Sequence, residues 1–132
     1  MDKRNEKVEL SDGRVLDINP DIIGDFTNMP FDDESFHLIV FDPPHIKGLG
    51  DNSNMCKRFG KLDEGWQDLI LGGFNECWRV LKPNGTLIFK WNETSIPTGQ
   101  IVRLLPESPA FGHKSGKMAK TQWLTFFKNC DD

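Results

Sequence analysis

The sequence predicts an α/β fold, a mostly parallel sheet finished by an antiparallel hairpin. Three observations predict it. Residues 36–42 form an apolar, β-branched and aromatic run that a double proline stops, as in a buried parallel strand. Residues 63–81 carry apolar side chains at helical spacing and lead into a second apolar run, 86–91. Residues 110–113 and 121–127 read as two more strands flanking a basic connector, an antiparallel pair that closes the sheet.

In order, residues 7–18 predict a hairpin. Val8 and Leu10 precede a Ser11-Asp12-Gly13-Arg14 turn, and Val15, Leu16 and Ile18 follow it. Glycine accepts the positive φ such a turn demands. Asn19-Pro20-Asp21 punctuates the chain, and residues 22–26 predict a brief strand ending at Asp25 and Phe26. Residues 28–35 are a turn and an acidic loop. The central strand, 36–42, delivers Asp42 to a rigid turn at its carboxyl end, the edge of an α/β sheet where ligands bind. Residues 43–61 lack periodicity, which leaves two readings, a binding loop or a disordered surface connector. The helix over 63–81 stops at Lys82-Pro83-Asn84-Gly85. After strand 86–91, Ser95 is placed to cap a short helix reaching Leu105.

Composition narrows the function classes. At 132 residues a single domain, 1–132, is expected. A net charge of −4 argues against strong general attraction to nucleic acid, although Lys114, Lys117, Lys120 and Lys128 cluster near the carboxyl end. Cys56, Cys77 and Cys130 are odd in number and show no close metal spacing, which favours a reduced, cytoplasmic protein and no metal. No apolar run has the roughly 20 residues of a membrane helix, and residues 1–7 are too charged for a secretory signal.

Three motifs, taken together, point to a family. Residues 24–36, Gly24-Asp25-Phe26 through Phe36, resemble the segment of class I S-adenosylmethionine-dependent methyltransferases that holds the cofactor's adenine. Asp42-Pro43-Pro44-His45 resembles their Asp-Pro-Pro-aromatic motif, found chiefly in amino-group methyltransferases acting on nucleic acids. Residues 75–85 resemble the helix-to-strand passage that follows. The likeness covers residues 20–92 and is similar to small methyltransferases of phages and prophages. It implies a Rossmann-like sheet and S-adenosylmethionine as cofactor. Asp42 and the Pro43 carbonyl would accept hydrogen bonds from an exocyclic amine, Pro44 would stiffen the turn, and His45 would stack on a flipped base. Asp25 would accept the cofactor's adenine amino group, and Phe26 would lie against that ring.

Each residue also has a plainer reading. Asp42-Pro43-Pro44 also suits an ordinary strand-ending turn, Asp25 a helix cap, and His45 an exposed loop position. Lys90 and Trp91 end a strand at the same edge as Asp42, and either line the acceptor pocket or, for Trp91, belong to the core. Lys114 and Lys117 either contact phosphates or sit at a solvated hairpin tip.

The family's early glycine-rich turn is missing, since Gly13 and Gly24 are isolated. The chain opens where the family's second strand ends, with Asp2 at the position of the ribose-binding acid. The expectation is therefore a sheet lacking its first strand, weak or absent cofactor binding, and self-association through the edge left unpaired. The leading function is N-methylation of a base amino group, adenine first. The alternatives are a non-catalytic binding or regulatory remnant, favoured by the missing turn, and a small-molecule or protein methyltransferase, favoured by the negative charge and by histidine in the aromatic position.

Overall fold

A computed structural model describes residues 1–114, 116 and 118–129. The hairpin forms as a separate two-stranded ribbon, β1 (Glu6–Glu9) against β2 (Val15–Ile18), with Gly13 at φ 86° in its turn. Among the described residues, three helices and four strands follow: β3 (Phe36–Phe41), α1 (Asn54–Phe59), α2 (Trp66–Val80), β4 (Leu81–Asn92), α3 (Thr98–Leu104), β5 (Phe111–Lys114) and β6 (Thr121–Phe127). The four strands make one sheet in the order β3-β4-β6-β5.

This overturns the expected Rossmann-like, mostly parallel sheet. Only β3 and β4 run parallel; β4–β6 and β5–β6 are antiparallel. The physical reason lies in residues 19–30. Asp25 closes a tight turn, its carboxylate accepting from Thr27 and its carbonyl from the Asn28 N–H at 3.0 Å, so residues 22–26 turn away before a ladder can form and make only isolated bridges, Asp2 with Ile23 and Asp25 with Asn28. Among the described residues no second parallel strand joins β3. The expectation of a missing first strand referred to that parallel sheet and falls with it.

The core lies on one face of the four-stranded sheet. Alternation along β4 turns Leu87, Phe89 and Trp91 inward, and β6 adds Leu124 and Phe126. Ile70, Phe74 and Cys77 of α2 and Ile101 of α3 meet them. Gly73 lies so close to Phe41 that a Cβ there would stand 2.5 Å from the ring. Burial pushes the Cys77 thiol up to about 12, so it packs as an apolar side chain.

The register puts Leu38 and Val40 of β3, Ile88 of β4, Trp123 and Phe127 of β6 and Phe111 of β5 on the opposite face. Most of these stay exposed; Leu38 and Val40 are 59% and 58% accessible. Arg79 staples the acidic loop to α2: its guanidinium donates to Glu76, Asp33 and the carbonyls of Met29 and Phe31, while Glu76 accepts from the Met29 N–H at 2.8 Å. Among the described residues, no helix is long and apolar enough to cross a membrane.

Candidate functional site

β3 ends at Phe41, which is buried edge-to-face between Phe26 and Phe89. That anchor fixes where the chain leaves the sheet. Pro43 is fully buried and Pro44 packs over Gly60, whose φ of 79° and close approach exclude a side chain. Asp42, between the two fixed points, turns its carboxylate outward, 42% exposed.

Asp42 opens on a cleft of about 510 Å³, lined by Asp2, Arg4, Pro43, His45, Met55, Arg58, Phe59, Lys90 and Asn92 among others. The parallel pairing of β3 with β4 brings Lys90 there, with its ammonium 3.4 Å from Asp42 Oδ2. The same ammonium lies 5.4 Å from the centre of the Trp123 ring. Asn92 is engaged on both sides, donating to Thr121 Oγ1 at 3.1 Å and accepting from the Thr94 N–H at 3.0 Å.

His45 has a defined tautomer. Its Nδ1 lies 3.0 Å from the Pro43 carbonyl oxygen, which can only accept, so Nδ1 carries the hydrogen. The ring meets Trp91 edge-on, centroids 5.7 Å apart. Burial pushes the imidazole below its ordinary value of 6.5, against the opposing pull of the Asp42 charge and the Pro43 bond. The neutral ring therefore keeps a bare lone pair on Nε2.

The other expected residues are placed differently. Trp91 is core, fully buried, with its indole N–H donating to the Ile96 carbonyl at 2.9 Å. It lines the pocket only indirectly, behind His45. Asp25 accepts from the Thr27 N–H and hydroxyl at 2.8 and 2.7 Å and so closes its own turn, which holds its carboxyl below the usual range. It caps no helix. Phe26 packs into the core against Phe41. Lys114 lines a second cavity, of about 640 Å³, with Glu93, Arg103 and His113. Lys117 lies outside the described residues, as does Cys130.

Toward S-adenosylmethionine the residues fit on one side. Asp2 and Asp42 open on the same cleft, although Asp2 is also held by the Arg4 N–H at 2.9 Å and by its guanidinium at 3.4 Å. Asp25 and Phe26 are committed to a turn and to the core.

Sequence reasoning missed α1 and the cleft residues around it. Its signals were present in residues 43–61. Ser53 caps the helix, its hydroxyl accepting the Cys56 N–H at 3.1 Å; Lys57 and Arg58 fill the last turn, and Gly60 ends it. At six residues, α1 was too short to show a period. Family models give no match to this chain, and neither do the curated proteins.

Proposed function

We propose that the cleft at the end of β3 is a site of N-methylation of an amino group, with a base amino group, adenine first, as acceptor and S-adenosylmethionine as methyl donor. The observation that carries this reading is the convergence of Asp42, Pro43, His45, Lys90 and Asp2 on one cleft. The resemblance of Asp42-Pro43-Pro44-His45 to an amino-methyltransferase motif supports it. When bound, the cofactor supplies a methyl group on a positive sulfur, which leaves as a neutral thioether. Asp2 and Asp42 are the residues that would hold it.

The chain's own part is orientation and proton handling. Asp42, set between the anchored Phe41 and the buried Pro43, accepts an N–H of the amine and aims its lone pair. The Pro43 carbonyl has one lone pair engaged by His45 and a second for the other N–H. His45 Nε2 takes the proton the methylated amine must lose. The commitment of Asp25 and Phe26 elsewhere favours one further reading, a cleft that binds an amine-bearing ligand without transferring a methyl group.

Incubation with labelled S-adenosylmethionine at millimolar concentration and an adenine-containing oligonucleotide tests the proposal. Label should reach the base amino group, and Asp42→Ala should cut the rate by about 100-fold with the circular dichroism spectrum unchanged. Calorimetry should give a cofactor affinity weaker than micromolar. Absence of transfer, or an undiminished Asp42→Ala variant, would overturn the proposal.

A further inference from the structure

Helix α1 has no buried residue, yet it is held firmly from one side. Asn54 Oδ1 accepts the Ser11 N–H at 2.8 Å, and the Lys57 ammonium donates to the Glu9 carbonyl at 2.6 Å. Arg4 donates to the carbonyls of Lys57 at 2.7 Å and Arg58 at 3.3 Å, satisfying groups that a helix end leaves open. These polar anchors fix the helix to the β1–β2 ribbon and to the first residues of the chain. They leave Met55, Arg58 and Phe59, at helical spacing on another face, lining the cleft that holds Asp42 and His45.

That face is built for a ligand of mixed character. Phe59 and Met55 are 62% and 48% exposed, and they share the cleft with the polar side chains of Asp42, His45, Lys90 and Asn92. The cleft's charges also leave a remainder. Arg4 pairs with Asp2 and Lys90 with Asp42, while the Arg58 guanidinium makes no ion pair or hydrogen bond among the described residues. A cleft of about 510 Å³ has the size of a small-molecule site rather than of a protein-docking surface. A flat apolar side chain, a flexible sulfur and an unmatched guanidinium on one helix face suit a heteroaromatic ring that carries a phosphate.

We propose that α1 is the recognition element for a nucleoside monophosphate unit. The ring stacks on Phe59 with Met55 beside it, Arg58 takes the phosphate in a bidentate contact, and the ring's exocyclic amine points at Asp42. The assignment rests on the reading of Asp42 as the partner of an acceptor amine. It adds two recognition residues and a requirement for phosphate that the Asp42 motif does not contain.

Titration of the full chain with adenosine monophosphate, adenosine and inorganic phosphate, followed by amide NMR shifts, tests it. Adenosine monophosphate should bind about tenfold tighter than adenosine, with shifts at Gly60 and His45. Arg58→Gln should erase that tenfold difference and leave adenosine affinity unchanged. Phe59→Ala should weaken both ligands about tenfold, and Phe59→Trp should restore them. Both side chains are exposed, so these variants keep the wild-type fold, checked by circular dichroism. No binding of either adenine ligand, or ligand affinities indifferent to Arg58 and Phe59, would overturn the assignment. Two outcomes separate it from the transfer reading. Arg58- and Phe59-dependent binding without methyl transfer upholds the clamp and sinks the transfer. Transfer to the oligonucleotide with KM unchanged in Arg58→Gln and Phe59→Ala sinks the clamp and leaves the transfer standing.

Discussion

His45 is pulled in two directions, and burial wins. The nearby Asp42 charge and the Pro43 carbonyl favour a protonated ring, but burial lowers its pKa below 6.5. The folded chain therefore takes up this proton at lower pH than the unfolded chain does. Between the two values the unfolded chain holds more protons, so stability rises with pH there. The contribution of the neutral ring is complete above about pH 6.5 and is lost as pH falls through the lowered value. Two measurements follow. The His45 ring resonances should titrate with a midpoint below 6.5 in NMR, and Asp42→Asn should move that midpoint lower still by removing a charge that favours protonation. Methyl transfer should be flat above pH 6.5 and fall only in the acid range where Nε2 is protonated. A midpoint above 6.5 would remove the case for His45 as a proton acceptor.

At the scale of elements, two adjacent glycines in α2 behave oppositely. A Cβ at Gly73 would stand 2.5 Å from the tip of Phe41, a ring wedged between Phe26 and Phe89 with no room to retreat. A Cβ at Gly72 would meet Thr27 at an ordinary 3.6 Å. Alanine gains up to about 1 kcal/mol over glycine in a helix interior, while overpacking costs about 1–3 kcal/mol. Gly72→Ala should therefore stabilise by up to about 1 kcal/mol and Gly73→Ala should destabilise by about 1 kcal/mol, both read from urea midpoints. Because Phe41 positions Asp42, Gly73→Ala should also weaken ligand binding in the cleft.

The helix around these glycines was readable because eight positions between Trp66 and Leu81 repeat at threes and fours, and it runs from Trp66 to Val80. β3 was readable for the same kind of reason, a short apolar run ended by prolines. The strand partners were not. Apolar runs say that a strand is buried, but the direction of its neighbour is set by connections and by tertiary packing. Residues 22–26 show the limit, being apolar enough for a strand yet held to single bridges by the turn that Asp25 closes on Thr27 and Asn28. Likewise Asp42, Pro43, His45 and Lys90 could be picked from the sequence because two strands end there. Arg4, Met55, Arg58 and Phe59 reach the cleft through contacts some fifty residues apart in the chain, which no local pattern announces.

For the whole molecule, the one-sided core matters most. The uncovered face carries Leu38, Val40, Phe111 and Phe127, and the far edge of β3 has no strand paired to it among the described residues. An apolar edge strand of this kind recruits another strand. Sedimentation velocity should show a mass that rises with concentration, and Leu38→Lys with Val40→Lys should hold the chain at monomer mass. A concentration-independent monomer in the wild type would refute this. The parallel pairing of β3 with β4 also has a kinetic consequence. Phe41 pairs with Phe89 across the α1 and α2 segments that lie between them in the chain, and β4 pairs with β6 across α3 and β5. Contacts so distant along the chain make for a slow search. During that search the edge of β3 lies open for longer than in a helical protein of this length, so the yield of refolded chain should depend more steeply on dilution than on temperature.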